Sequence, residues 1–292
     1  MIIFVPGMKP KPEPGQHRAA LLRCLLASLH RVDRRVAAAL EADDSVFVRA
    51  NWTYAFYQRY RDIGLDADGI DQLIADPAPS ETDLQQIDSW QRRLTLWLYK
   101  LADRWPAVAH RTAQPAMRET LGEIERYRSN LDSAGDRSRA DLIRHLRAAA
   151  AASRPVLVIG HSFGSVITWD ALQSLSADGV GIDTFMTIGS PLGNRMIQEG
   201  LIGWQSGRRY PDNIDHWVNV MSRGELVVLR GNFKQRFAPM LAGGHLETIT
   251  DRHIVSHFHD ACGLNVHSEY GYLSNDQLAS DVAAWWRRCR DY

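Results

Sequence analysis

The sequence predicts an α/β fold built on a mostly parallel β-sheet flanked by helices. Short apolar runs rich in β-branched residues alternate with helical patterns near both ends of the chain. The run over residues 156–159 contains no polar position, which is typical of a central parallel strand buried on both faces. Between these two regions the pattern is helical over residues 51–152, which predicts a helical insertion.

The first fifty residues read as strand, helix, strand, the unit of a parallel sheet. We predict a strand over residues 2–5 that ends at Pro6 and Gly7. Leucine and valine recur at helical spacing over residues 17–40, which predicts one helix, and residues 46–48 form the second strand.

The insertion shows three helical patterns, over residues 84–101, 117–131 and 141–152. Residues 80–83 are a predicted N-cap for the first of them. After Pro155 the alternation resumes. Strands are predicted over residues 156–159, 184–188 and 216–220, and a last helix over residues 275–290.

Composition excludes several classes of protein. The 292 residues are 45% hydrophobic, enough for a sizeable core, and 34 basic residues balance 34 acidic ones. A nucleic-acid binder normally carries a basic excess, so no nucleic-acid partner is expected. The three cysteines form no disulfide framework and no metal-binding pair, which predicts a reducing, cytoplasmic location. Neither a targeting segment nor an integral membrane segment is expected, because no apolar run is long enough.

One motif carries nucleophilic chemistry. Gly160, His161, Ser162, Phe163 and Gly164 form G-x-S-x-G between the strongest predicted strand and a helix. In that context the serine occupies a strained turn that presents its hydroxyl at the carboxyl edge of the sheet. The alternative is a glycine-rich turn with an idle serine. The flanking strand and helix favour Ser162 as the nucleophile.

With this motif and three further segments, the chain resembles the α/β-hydrolase superfamily, in its serine esterase and lipase-like branch. The further segments are residues 4–8, residues 188–193 and residues 267–270. The resemblance covers residues 1–50 and 153–292. It implies an α/β-hydrolase fold, a single domain over residues 1–292 in which residues 51–152 form a helical cap or insertion.

A serine nucleophile needs a base, usually a histidine held by a carboxylate. His267 lies after the last predicted strand and before the last helix, which fits the order serine, acid, histidine. Four other histidines form a loose group at 245, 253, 257 and 259, but no Glu or Cys stands at zincin spacing. We therefore predict no metal site there.

The predicted acid is Glu225, six residues after Asn219 in the turn that follows the strand over residues 216–220. The resemblance implies an acid at this position, commonly an aspartate. The alternative is a surface glutamate paired with Arg223. In that case the acid is one of four aspartates, Asp212, Asp215, Asp251 and Asp260.

The oxyanion hole requires two backbone N–H groups directed at the developing charge. The resemblance implies Phe163, the residue after the nucleophile, and Met8 in the turn after the first strand, with Gly7 as the alternative to Met8. Pro6 stands where the family usually has a histidine. The oxyanion hole uses only the backbone N–H of a later residue, Met8 or Gly7, so the proline at position 6 does not abolish it.

The insertion carries an aromatic stripe that can be interpreted in two ways. The stripe comprises Trp90, Leu94, Trp97, Leu98, Leu101 and Trp105. Such a stripe is more often part of a core, so we predict that it packs against the sheet, with Arg92, Arg93 and Arg104 on a solvated face. The alternative is an interfacial lid with peripheral membrane contact through the cap.

Together these features predict a serine hydrolase that cleaves a small-molecule or lipid carboxylic ester through an acyl-enzyme intermediate. No cofactor and no metal are expected. An acyltransferase or thioesterase with the same triad is the alternative within enzymes. The alternative from another class is a non-catalytic binding protein that retains the fold.

Overall fold

The computed structural model describes residues 1–104, 115–204, 207 and 209–290. Within these residues the main sheet has six parallel strands in the order β2-β1-β3-β4-β5-β6. The strands are β1 (Ile2–Val5), β2 (Phe47–Arg49), β3 (Leu157–His161), β4 (Ile182–Ile188), β5 (Ile214–Ser222) and β6 (Thr248–Ile254). A separate hairpin pairs β7 (His259–Asp260) with β8 (Gly263–Leu264).

Helices flank the sheet, so the predicted α/β-hydrolase fold class is confirmed. The described helices before β3 are α1 (Pro14–Val32), α2 (Arg34–Glu41), α3 (Trp52–Tyr57), α4 (Gly64–Ala75), α5 (Glu81–Ile87), α6 (Trp90–Arg104), α7 (Pro115–Arg128) and α8 (Ala134–Ala151). Those after β3 are α9 (Phe163–Leu175), α10 (Arg195–Gln198), α11 (Phe233–Arg236), α12 (Ala238–Ala242), α13 (Glu269–Leu273) and α14 (Asp276–Arg288).

Two hydrophobic clusters cover the two faces of the sheet, because successive side chains of a strand point to opposite faces. In β1, Ile3 and Val5 join one cluster, which includes buried side chains of α8 and α9. Ile2 and Phe4 join the other, which includes buried side chains of α1, α2 and α14. The sheet is thus covered on both sides, as the unbroken apolar runs of its central strands predict.

The prediction of one helix over residues 17–40 is wrong, because Asp33 divides it. Asp33 has an extended backbone, and its carboxylate accepts hydrogen bonds from the amides of Arg35 and Val36. It is the N-cap of α2, a position that aspartate favours because its side chain competes with the helical backbone bonds. Ser80 and Asp83 form the predicted cap of α5, as a reciprocal capping box.

β6 is a strand that the sequence pattern does not predict. It pairs with β5 at the edge of the sheet, and its central residues Asp251, Arg252 and His253 are polar or charged. An edge strand needs to bury less of its surface than a central one, so its apolar signal is weak. The hairpin of β7 and β8 is too short to leave a periodic pattern.

The prediction that the aromatic stripe packs against the sheet is wrong for its described side chains. Trp90 is 69% exposed and Trp97 is 58% exposed, and Leu94 and Leu98 are also exposed. Trp105 and the side chain of Leu101 lie outside the described residues. The prediction of solvated arginines is also wrong for Arg92, which is half-buried and bonds the Gly224 carbonyl.

In residues 1–104, 115–204, 207 and 209–290, none of the helices is both long enough and apolar enough to cross a bilayer.

Candidate active site

Ser162 occupies the turn that joins β3 to α9. Its backbone has φ 51° and ψ −126°, outside the regions that non-glycine residues normally adopt. The Ser162 amide donates to the carbonyl of Ile188 at 2.9 Å, which ties the turn to β4. Gly164 lies against β1, where a Cβ would collide with the Val5 carbonyl oxygen. The turn therefore holds the serine at the carboxyl edge of the sheet, in the strained geometry that G-x-S-x-G predicts.

The structure brings Ser162, His267 and Glu225 together in one hydrogen-bonded row. Ser162 Oγ lies 2.9 Å from His267 Nε2, and His267 Nδ1 lies 2.8 Å from Glu225 Oε2. The carboxylate can only accept, so Nδ1 carries the ring proton in the neutral imidazole and Nε2 is free to accept the serine proton. This is the arrangement that general-base activation of a hydroxyl requires.

Glu225 is buried, with partners for both of its carboxylate oxygens. Besides His267, it accepts from the Val227 amide at 3.0 Å and from the Tyr272 hydroxyl at 3.2 Å. Burial by itself raises the pKa of Glu225, but His267 and these two hydrogen bonds outweigh it and hold the pKa below its ordinary value. The carboxylate is therefore ionised at neutral pH.

None of the other four candidate acids, all of which the structure describes, bonds His267. Asp251 bonds the side chain of Asn219 and the amides at the start of α11. Asp260 bonds within its own hairpin segment, to Asn265 and the Cys262 amide. Asp212 and Asp215 are exposed near the amino end of β5, whereas the Ser162 turn lies at the carboxyl edge.

Two of the four histidines at 245, 253, 257 and 259 bond separate partners on the insertion. His259 bonds Asp83 at 2.7 Å, and His257 bonds the Asp76 carbonyl at 3.0 Å. In the part of the chain that the structure describes, no group of three or more His, Cys, Asp or Glu side chains could hold a metal ion.

Both expected oxyanion donors border the same cavity as Ser162. Phe163 is the first residue of α9, so its amide has no helical carbonyl to bond and lies at the positive end of the helix dipole. Met8 follows β1, whose last residue Val5 pairs with Gly160 in β3. Met8, Ser162, Phe163 and His267 all line a cavity of about 810 Å³.

The insertion supplies part of the wall of this cavity. Leu65 of α4 and Ile124 of α7 line it, together with apolar residues such as Ile197 and Val227 from outside the insertion. The site can therefore hold an apolar group beside the serine hydroxyl.

A buried polar cluster supports the loop that carries His267. His161 Nε2 lies 2.7 Å from the His267 carbonyl oxygen, within hydrogen-bond distance. His161 Nδ1 lies 2.7 Å from Glu269 Oε2. Glu269 also contacts the ammonium of Lys11 at 2.9 Å. The residue before the nucleophile thus links the histidine loop to a buried carboxylate.

Two further side chains complete this cluster. His17 Nδ1 accepts from Arg49 at 2.7 Å, so its Nε2–H donates to Glu269 at 2.7 Å. Burial lowers the pKa of His17 to about 4, and the ring is neutral at pH 7. Despite burial, the ammonium of Lys11 and the contacts with His17 and His161 hold the pKa of Glu269 well below its ordinary value.

Sequence reasoning missed several residues of the site. Tyr272 braces Glu225, and Glu269 supports the histidine loop. Both follow His267 within five positions, so their place in that segment is a signal that could have identified them. Tyr57, whose hydroxyl accepts from the Lys9 amide, lies 48 residues away in the chain, and no local pattern indicates this contact.

Comparison with known protein families gives a match for part of the chain. A family model described as an alpha/beta hydrolase matches residues 122–221. The matched segment contains β3, the Ser162 turn, α9, β4 and most of β5, and it ends before Glu225 and His267. A search of curated proteins finds no match. The family match and the parallel sheet together support the superfamily that the sequence motifs indicate, and with it a hydrolase-type activity.

Proposed function

We propose that this member of the α/β-hydrolase superfamily is a serine hydrolase that cleaves carboxylic esters. The observation that carries the proposal is the row formed by Ser162, His267 and Glu225, with hydrogen bonds of 2.9 and 2.8 Å beside an apolar cavity. A hydroxyl activated by a histidine and oriented by a buried carboxylate is the arrangement of acyl-transfer catalysis on this fold.

In the proposed reaction, Ser162 Oγ attacks the ester carbonyl carbon while His267 Nε2 takes its proton. The negative charge moves to the carbonyl oxygen, where the amides of Met8 and Phe163 stabilise it. Collapse of this intermediate breaks the bond to the alcohol, which receives the proton from His267 and leaves an acyl-serine. Water then attacks the acyl group by the same steps, with His267 again as the base. Glu225 stays ionised and stabilises the imidazolium.

A labelled fluorophosphonate and a series of p-nitrophenyl esters test this proposal. The wild-type protein should be labelled covalently and should hydrolyse the esters. The variant Ser162→Ala should lose labelling and lose up to about 10⁶-fold in turnover, because the nucleophile is absent. Ser174→Ala, a substitution of an exposed serine in α9, is the matched control and should behave as wild type.

The same assay separates the alternatives. A thioesterase would prefer acyl thioesters to the matching oxygen esters, and an acyltransferase would form a new ester when an alcohol is added. A non-catalytic binding protein would show neither labelling nor turnover, and that result would contradict the proposal.

We also propose that α6 brings the enzyme to an anionic lipid surface. The exposed stripe at positions 90, 94, 97 and 98 lies on one face of α6, as the spacing of a helix requires. Arg93 and Lys100 are exposed beside it, whereas Asp103 is buried against Arg230. Aromatic residues flanked by basic ones are typical of helices that lie at a membrane surface.

A second copy of the chain fits this face less well. Two such helices packed about a two-fold axis would bring like charges together, with no exposed acidic side chain on either described helix to compensate. The α6 surface is anchored close to the triad, since Arg92 bonds the carbonyl of Gly224, the residue before Glu225, at 2.6 Å. A lipid ester is therefore the substrate class that this surface favours.

A further inference from the structure

Side chains from the helical insertion hold the turn that carries Met8. Lys9, directly after Met8, has φ 76°, in the left-handed region that residues other than glycine rarely adopt. Its amide donates to the hydroxyl of Tyr57, the last residue of α3, at 3.0 Å. Burial raises the pKa of Tyr57, so the hydroxyl stays protonated at neutral pH. An uncommon backbone conformation thus coincides with a hydrogen bond that stabilises it.

Two further contacts from the insertion hold the same turn. The indole N–H of Trp52, in α3, donates to the Pro6 carbonyl at 2.7 Å. The ammonium of Lys9 lies 3.0 Å from the carboxylate of Glu123 in α7. The peptide between Pro6 and Gly7 is therefore fixed at its carbonyl, and the peptide between Met8 and Lys9 is fixed at its N–H.

The peptide that supplies the Met8 amide lies between these two anchored peptides. Gly7 has no side chain to restrict its rotation, so the direction of the Met8 N–H depends on the neighbouring anchors. If the bond to Tyr57 were lost, Lys9 could relax to a negative φ. That rotation would displace the adjoining Gly7–Met8 peptide and its N–H group.

We propose that Tyr57 is a positioning residue for the oxyanion hole, because its hydroxyl holds the Lys9 amide and thereby directs the Met8 N–H. This inference rests on the proposed function, in which the Met8 amide stabilises the oxyanion. It gives the insertion a role in transition-state stabilisation in addition to lining the cavity. An oxyanion donor that is misaligned weakens transition-state binding more than ground-state binding.

The variant Tyr57→Phe tests this proposal because it keeps the ring, which packs on Trp52 and Phe56, and removes the hydrogen-bond acceptor. With a p-nitrophenyl ester, kcat should fall about 10- to 100-fold while KM changes less than about twofold. The inhibition constant of a trifluoromethyl ketone, whose serine adduct carries an oxyanion, should rise by a similar factor. Tyr54→Phe, on the same helix with a partly exposed ring, is the control and should leave all three values unchanged.

A rescue experiment separates positioning from general damage. In the Tyr57→Phe background, Lys9→Gly should have a higher kcat than Lys9→Ala, because both remove the ammonium that contacts Glu123 but only glycine adopts φ 76° without strain. Unchanged kcat and unchanged ketone inhibition in Tyr57→Phe would overturn the inference alone. A loss of kcat without weaker ketone inhibition would also overturn it. If the wild-type protein neither hydrolyses esters nor reacts with fluorophosphonate, the proposed function fails and the inference fails with it.

Discussion

At the scale of single residues, Glu225 is the least conventional part of the site. The resemblance leads one to expect an aspartate there, and the longer side chain still makes a 2.8 Å hydrogen bond to His267. The Val227 amide and the Tyr272 hydroxyl bind the same carboxylate and fix its direction. Tyr272 in turn accepts from the Ser222 amide at the end of β5. A side chain with an additional rotatable bond is thus held by three separate donors.

We predict that Glu225→Gln lowers kcat on the order of 10⁴-fold while the protein stays folded. The amide keeps the size of the side chain but cannot stabilise the imidazolium that forms on His267. Turnover of a p-nitrophenyl ester and the far-UV circular dichroism spectrum measure the two effects. Glu225→Asp is the control for charge and should keep partial activity. A Gln variant within tenfold of wild type would contradict the assigned role.

The row of Ser162, His267 and Glu225 could be proposed from the sequence because each residue follows a recognisable strand or precedes a recognisable helix. In a parallel sheet the carboxyl ends of strands meet at one edge, so order along the chain predicts proximity. The contacts of Tyr57 with Lys9 and of Glu269 with His17 could not be predicted in this way. They depend on how the insertion and α1 pack against the sheet, which local spacing does not encode.

At the scale of elements, the sequence predicts central strands better than edges and surfaces. β1, β3 and β4 are buried along their whole length or nearly so, and the apolar runs of β1 and β3 are unambiguous. β6, at the edge of the sheet, is polar or charged at every position except Ile249 and Ile254 and gives no such run. A single aspartate, Asp33, divides the first helix because its cap outweighs a continuous apolar pattern.

For the aromatic stripe of α6, too, the sequence pattern does not determine whether the side chains are buried. Periodicity predicts that the apolar side chains of a helix share a face, and it does not say what covers that face. The described residues leave Trp90 and Trp97 more than half exposed. An apolar stripe becomes part of a core only where another surface of the protein covers it. The described part of the chain does not cover the exposed side chains of this stripe.

We predict that replacing Trp90 and Trp97 together by alanine reduces binding to anionic vesicles at least about tenfold, because the apolar area that can enter the interface is lost. Co-sedimentation with vesicles rich in phosphatidylglycerol measures the effect, and pure phosphatidylcholine vesicles show the contribution of charge. Leu131→Ala with Ile202→Ala is the control, since both side chains are exposed elsewhere. Equal sedimentation of both double variants would contradict lipid docking. A wild-type dimer that dissociates in the Trp variant would indicate a second copy instead.

At the scale of the whole molecule, the insertion and the sheet share one hydrophobic core. Tyr127 of α7 and Leu142 of α8 belong to the same buried cluster as Phe163 and Trp169 of α9. The Tyr127 hydroxyl donates to the buried carboxylate of Asp170 at 2.8 Å. A unit that folds by itself would bury its own core, so this sharing supports the prediction of one domain with an insertion over residues 51–152.

The prediction of one domain can be tested by measuring the free energy of unfolding of the whole chain. Leu142 is fully buried in the shared cluster, so Leu142→Ala should lower the free energy of unfolding of the whole chain by about 2–5 kcal/mol. Urea unfolding should remain a single transition, with the same midpoint from far-UV circular dichroism and from tryptophan fluorescence. Both midpoints should shift together, because α8 and α9 contribute to one hydrophobic cluster and should therefore unfold in one cooperative step. Leu131→Ala, at a side chain 58% exposed, is the matched control and should cost less than about 0.5 kcal/mol. Two separated transitions, only one of which moves in Leu142→Ala, would instead indicate that the insertion folds as an independent domain.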